Sequence, residues 1–170
     1  MKASDAIAAF LAEHVRHVFT VSGGANLHII DSIARRKDVQ IICPPTEQAA
    51  AFRADAYARL TGFGCALATS GPGATNLLTG IAAAYYDSSP VLYLTGNQTR
   101  ARLEDHGTRQ YGFQATPIVA MAREVTKYAM QIRCPEDIMP ILNEAVAAAR
   151  EHRRGAVLVD IPDDIQRCNL

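Results

Sequence analysis

Val39-Gln40-Ile41-Ile42-Cys43-Pro44-Pro45-Thr46-Glu47-Gln48-Ala49-Ala50-Ala51 is the stretch that decides the fold. Its first five residues make a mostly apolar run with the β-branched content of a strand. Two prolines end the run, because neither can donate to a sheet ladder. An alanine-rich helix then opens with Glu47 in its first turn, where a carboxylate meets the positive end of the helix dipole. The same hand-over recurs twice. His17–Val21 leads through Ser22-Gly23-Gly24-Ala25-Asn26 into an apolar helix. Cys65–Thr69 leads through Ser70-Gly71-Pro72-Gly73-Ala74-Thr75-Asn76 into another. Three turns thus fall where strands pass into helices, the edge at which open α/β sheets bind their ligands.

The pattern continues on both sides. Val91–Thr95, Thr126–Met130 and Ala156–Ile161 complete six strand-like runs. Helix-like stretches cover Ser4–Val15, Leu27–Arg36, Glu47–Leu60, Ala74–Tyr86, Pro117–Glu124 and Pro135–Arg150. Ser4 is placed to cap the first of them, and Pro135 suits the first turn of the last. Strict alternation predicts parallel strands joined by right-handed crossovers. Strands that are apolar almost throughout predict burial on both faces. The expected fold is α/β: a three-layer α/β/α domain with a six-stranded parallel sheet, residues 1–170 forming a single domain. Gly96–Gly112 is the one long irregular segment, and loops of that length commonly serve function.

Of the 170 residues, 49% are hydrophobic and 20% charged, the balance of a globular chain with a core rather than a disordered one. Lys plus Arg and Asp plus Glu are both 17, and no basic cluster stands out, which argues against nucleic acid as a partner. No run of apolar residues is long enough to span a bilayer, and Met1-Lys2-Ala3-Ser4-Asp5 lacks a signal-peptide layout, so no membrane partner and a cytoplasmic location are expected. The four cysteines have no metal-type spacing, and Cys43 and Cys65 read as small core residues.

Taken alone, Glu47 is a first-turn glutamate that favours its helix. Its setting adds a second reading: prolines set its approach, and small apolar neighbours leave it partly desolvated, as suits a group that moves protons. Ser70–Asn76 is a plain tight turn or a phosphate turn at a helix N-terminus. It lacks both G-x-G-x-x-G and a P-loop lysine, and glycine there also admits a flat ligand or another backbone. His28 reads as a helix-surface residue, and His106 as a solvated loop residue or a substrate contact. Arg100, Arg102 and Arg109 either face an anionic substrate or decorate an exposed loop. Asp55 and Arg59 are spaced as an i,i+4 pair.

The motifs together resemble a known family. Gly23-Gly24-Ala25, Glu47-Gln48, Ala54-Asp55-Ala56-Tyr57-Ala58-Arg59 with Gly62, and Thr69-Ser70-Gly71-Pro72-Gly73-Ala74-Thr75-Asn76 occur in that order. Pro90, Thr95-Gly96 and Gly155-Ala156-Val157-Leu158-Val159-Asp160-Ile161-Pro162-Asp163-Asp164-Ile165 follow. Over nearly the whole chain this resembles the N-terminal pyrimidine-binding domain of acetolactate-synthase-like thiamine diphosphate enzymes. The resemblance implies thiamine diphosphate as cofactor and decarboxylation or carboligation of a 2-keto acid. Glu47 matches the glutamate that hydrogen-bonds the aminopyrimidine and promotes loss of the thiazolium proton. Ser22, Gly23, Pro72 and Asn76 match positions around the pyrimidine. Gln114 and Phe113 match a Phe-Gln pair that reaches the reacting centre from the long loop, Gln114 as a catalytic residue and Phe113 as a substrate contact. Asn26 falls where benzaldehyde-lyase-like members carry an active-site histidine, which makes it a substrate-contact candidate.

Four positions depart from the family's pattern. Thr46 stands where a histidine is frequent, Ser22 where proline or histidine is common, Asn26 at the lyase histidine position, and Ala115 where acetolactate synthases have glutamate. These departures point to a divergent decarboxylase, lyase or acyl-transferring relative. The family holds Mg2+ and the cofactor's diphosphate through a Gly-Asp-Gly…Asn segment in a second domain, and this chain has no Gly-Asp or Asp-Gly dipeptide. The resemblance therefore implies half of a cofactor site, with no metal ligand, weak cofactor binding and no activity by itself. A longer enzyme is the expected context. The alternatives are a small subunit of a two-chain decarboxylase of the sulfopyruvate-decarboxylase type, or a non-catalytic interaction module that keeps the fold. Expected partners are a diphosphate-binding domain or subunit and a second copy of the chain. The helix with Leu77, Leu78, Ile81 and Tyr85 reads as an ordinary core helix or as the homodimer interface.

Overall fold

The computed structural model describes residues 1–104 and 107–170. His106 lies outside the described residues. Six strands form one all-parallel sheet: β1 (His17–Thr20), β2 (Gln40–Ile42), β3 (Gly64–Ala68), β4 (Val91–Asn97), β5 (Tyr128–Gln131) and β6 (Val157–Pro162). Their order across the sheet is β2-β1-β3-β4-β6-β5. The three-layer α/β/α arrangement expected from the alternation is the one observed.

Side chains alternate across the strands into two cores. Val18, Cys65, Leu67, Leu92, Leu94, Val157 and Val159 face α1 (Ala3–His14), α2 (Leu27–Ala34) and, later in the chain, a helix over Ile138–Arg150. Phe19, Ala66, Ala68, Val91, Tyr93 and Leu158 face the opposite layer. That layer holds α3 (Glu47–Thr61), α4 (Pro72–Asn76), α5 (Leu78–Tyr86) and, beyond the short α6 (Arg100–Leu103), α7 (Ile118–Ala122). The 138–150 helix is α8, and α9 (Asp163–Arg167) closes the chain against α1. β3, β4 and β6 are buried along their whole length, as expected for strands covered on both faces.

Three local expectations change. The first helix starts at Ala3, and Ser4 is not its cap: Ser4 is buried and its Oγ accepts a hydrogen bond from Ser32 Oγ at 2.8 Å. Cys43 is exposed, because β2 is an edge strand that ends at Ile42 and leaves Cys43 beyond the sheet. Cys65 is buried, and burial pushes its thiol up to about 12. The helix expected over Ala74–Tyr86 is two, α4 and α5, hinged at Leu77.

The strand order positions the site. The chain after β1 enters α2 on one face, while the chain after β3 enters α4 and α5 on the other. β1 and β3 are neighbours, so their connections diverge above a crevice at their carboxyl ends. That divergence is the topological switch point of an open α/β sheet, where no connecting segment fills the gap.

Candidate active site

The turn after β1, the turn after β3 and the start of α3 meet at this crevice. Thr46 caps α3, its Oγ1 accepting from Ala49 N–H at 3.2 Å. Pro44 is buried beneath the turn while Pro45 is exposed. Glu47 is the first residue of α3 and is half-buried. Asn76, at the end of α4, donates from Nδ2 to Glu47 Oε2 at 3.0 Å. Glu47 Oε1 accepts no hydrogen bond among the described residues.

Thr69 is the post around which the turns close. A methyl at Gly23 would lie 2.5 Å from Thr69 Cβ, and one at Gly73 would lie 2.7 Å from Thr69 Cγ2 and 3.4 Å from Glu47 Oε1. Gly71 has φ +61° and ψ −123°, a region open in practice to glycine alone. A methyl there would also lie 2.7 Å from Gln114 Cβ. The Ser70–Gly73 turn therefore has Glu47 on one side and Gln114 on the other. Gln114 itself sits at φ +56°, a conformation uncommon outside glycine.

Ser22 and Pro72 are exposed at the mouths of their turns, and Gly23 donates its N–H to Asn26 Oδ1 at 2.9 Å. Asn26 is fully buried, and its Nδ2 donates to Val21 O at 3.1 Å, so both ends of its amide serve its own turn. Phe113 is 74% exposed. With Gln114, Gly24, Thr69, Ser70 and Gln98 it lines a cavity of about 480 Å³ at the crevice. Glu47 is not among the residues lining it. A second cavity, of about 520 Å³, lies between α7 and β5, and Glu47 does not line it either. His28 is a helix-surface residue: Lys2 Nζ donates to its Nδ1 at 3.0 Å, and burial and then Lys2 hold its proton affinity below the usual range. Arg59 pairs with Asp55 at 2.9 Å, as the spacing predicts, and also with Asp87 at 2.7 Å. Arg100 pairs with Asp164 at 2.7 Å and donates to Arg133 O. It holds the loop to α9, while Arg102 lines the cavity. No group of three or more His, Cys, Asp or Glu side chains among the described residues is arranged to hold a metal ion.

Sequence reasoning missed the polar scaffold under the long loop. Asp160 on β6 is fully buried and has no Lys, Arg or His ion-pair partner among the described residues. It accepts from Thr95 Oγ1 at 2.6 Å, Asn97 Nδ2 at 2.9 Å and Gln131 Nε2 at 2.7 Å. Burial pushes its carboxyl above the usual carboxylate range, against the pull of those three donors. Asn97 Nδ2 also donates to Thr116 O at 3.2 Å, and Asn97 Oδ1 accepts from Gln98 N–H at 3.0 Å. Both ends of the loop that carries Phe113 and Gln114 are thereby tied to Asp160. The available signal was polar residues toward the carboxyl ends of the buried strands β4 and β6, with Gln131 ending β5 beside them.

The match to known proteins follows this geometry. Residues 1–121 match the family described as "Thiamine pyrophosphate enzyme, N-terminal TPP binding domain". The chain belongs to that family. It is the pyrimidine-binding domain of acetolactate-synthase-like thiamine pyrophosphate enzymes. Over 168 residues, 98% of this chain, the pyrimidine domain is 42% identical to acetolactate synthase 2, chloroplastic, of Nicotiana tabacum. Over 160 residues, 92% of the chain, it is 44% identical to the acetolactate synthase of Arthrospira platensis. It is also 42% identical to the acetolactate synthase large subunit of Cyanidium caldarium over 160 residues. It spans 24% of the tobacco protein, 27% of the Arthrospira protein and 26% of the Cyanidium protein. The departures at Ser22, Asn26, Thr46 and Ala115 thus sit within a pyrimidine domain otherwise close to acetolactate synthases.

Proposed function

We propose that this domain forms the aminopyrimidine half of a thiamine diphosphate site in an enzyme that acts on a 2-keto acid, with Glu47 as the activating acid. The observation that carries the reading is the Glu47 carboxylate at the head of α3. One of its oxygens is oriented by Asn76 and the other is unengaged, facing Gly73 of the Ser70–Gly73 turn. A carboxylate so placed suits a flat, amine-bearing heteroaromatic ring. Glycines on both turns let backbone approach the ring, and Gly23 and Pro72 border it.

When bound, thiamine diphosphate supplies the acidic carbon and the electron sink for cleavage beside a carbonyl. Glu47 would share a proton with a ring nitrogen of a bound aminopyrimidine, and Asn76 would keep its carboxylate from rotating away. Gln114 and Phe113 face the crevice from the long loop and contact substrate there. The diphosphate and Mg2+ are held by a second domain or subunit, so this domain alone is inactive. Leu77 and Ile81, two of the apolar residues expected at a homodimer interface, are fully buried in this domain's own core, so a second copy would pack on the α3–α5 layer through the exposed Phe52, Leu60 and Tyr86.

Titration of the chain with thiamine diphosphate and Mg2+, followed by calorimetry and backbone amide shifts, tests the reading. The expected result is weak binding that perturbs Gly23, Glu47, Gly71 and residues 73–76, and that Glu47→Gln abolishes. Perturbations elsewhere, or unchanged binding by the Gln variant, would remove Glu47 from the site. Tight, metal-dependent binding would overturn the half-site account.

A further inference from the structure

The Ser22–Asn26 turn contains two adjacent glycines and has little stiffness of its own. Most of its hydrogen bonds are internal: Gly23 N–H to Asn26 Oδ1, Asn26 N–H to Gly23 O, and Asn26 Nδ2 to Val21 O. These hold the turn's shape but not its place. Among the described residues, its hydrogen bonds to the rest of the fold run through Ala25. Ala25 N–H donates to Thr69 Oγ1 at 3.2 Å, and Ala25 O accepts from Gln166 Nε2 at 2.7 Å.

Gln166 lies on α9 and is fully buried. Its Nε2 also donates to Ile161 O at 2.8 Å, which fixes the side chain to the end of β6. Its Oε1 is buried and has no hydrogen-bond partner. A hydrocarbon of the same length would fill the space without an unpaired oxygen, so the amide's distinct contribution is its two donated bonds. β4 makes room for one of them. A methyl at Gly96 would overlap the Ala25 carbonyl, so the turn can sit down on the strand only over a glycine.

We propose that Gln166 is a positioning residue for the cofactor face. It anchors the Gly23–Asn26 turn through the Ala25 carbonyl, and so sets the height of Gly23 against Thr69 and the Ser70–Gly73 turn. The functional part rests on reading that turn as part of the pyrimidine site. The anchoring part does not.

Amide hydrogen exchange of the 170-residue chain, without ligand, tests it. Gln166→Met should speed exchange at Gly23, Ala25 and Asn26 by about tenfold, roughly the loss of one hydrogen bond's net contribution, while α8 amides keep their protection. Gln166→Glu donates only when protonated, so protection at the same three amides should fall as pH rises in that variant alone. The pH series in Gln166→Glu keeps the test alive if Gln166→Met does not fold. Unchanged protection of the turn in the Met variant, a uniform loss across the chain, or a pH-independent Glu variant would overturn the anchor. A parallel titration with thiamine diphosphate separates the two parts. Turn amides that depend on Gln166 but ignore thiamine diphosphate would sustain the anchor and overturn the pyrimidine reading.

Discussion

The Ser70–Gly73 turn is bordered by two structures held in opposite ways. On the Glu47 side, α3 lies against β3 through alanines and glycines. Ala50, Ala51, Ala54 and Ala58 are buried, the Ala54 carbonyl rests on Gly64, and Ala51 rests on Gly80 of α5. On the Gln114 side, the loop is stitched by polar groups: Asn97 to Thr116, Asn97 to Asp160, and Arg100 to Asp164. The packed side holds an acid in place by excluding volume. The stitched side holds a loop by hydrogen bonds, two of them to carboxyl groups. The contrast suits the parts proposed for them: an activating acid held in one place, and a loop free to rearrange around a substrate.

Enlarging the packed side should produce the largest effect. Gly64→Ala puts a methyl into the Ala54 carbonyl, and we expect a loss of about 3 kcal/mol by urea denaturation, the upper end of overpacking costs. The penalty should be the same at every pH. A loss under about 1 kcal/mol would mean that α3 slides easily and that Glu47 is not held by packing.

Asp160→Asn probes the stitched side, with an expected cost of about 2 kcal/mol at its most unfavourable pH, the scale of a disrupted buried polar group. The sign follows from burial, which raises Asp160 above the unfolded carboxylate value of about 3.9. The folded state then favours the protonated acid. Its contribution is complete below that unfolded value and is lost as pH rises through the raised folded one. The wild type's advantage over Asp160→Asn should therefore shrink on going from acid to neutral pH. A flat difference would show that the carboxyl is not desolvated in the folded state.

Smaller effects refine the comparison. Thr46→Ala removes the cap of α3 and should cost about 1 kcal/mol by thermal unfolding. A loss near zero would mean that the two prolines alone set the start of the helix. Asp87→Ala breaks an exposed pair with Arg59 and should cost less than about 0.5 kcal/mol in low salt, shrinking as salt is added. A larger cost would make that pair a structural tie between α3 and the loop after α5.

The six strands and the helices between them were readable because periodicity and composition are local properties. Each strand lies within a residue or two of its expected span. Cys43 and Ser4 were misread for non-local reasons. Whether Cys43 is buried depends on which strand is at the edge, and whether Ser4 caps or packs depends on Ser32 from another helix. Glu47 and the Ser70–Asn76 turn were readable because a proline-led helix start and a glycine-rich turn leave marks in the chain. Asp160 and Gln166 leave no such local mark. A buried polar side chain gains its role from partners 63 or 141 residues away, as with Asn97 and Ala25.

Short-range propensity and patterning are enough to give the layers, the turns at the strand ends and the acid at the head of α3. The tertiary structure alone decided the β2-β1-β3-β4-β6-β5 order, which opens the crevice between β1 and β3. It alone decided that Thr69, Asn97, Asp160 and Gln166 hold that crevice's walls. The physical reason is that hydrogen-bond satisfaction in a buried interior is a property of neighbours in space, and those neighbours exist only once the strands are in order.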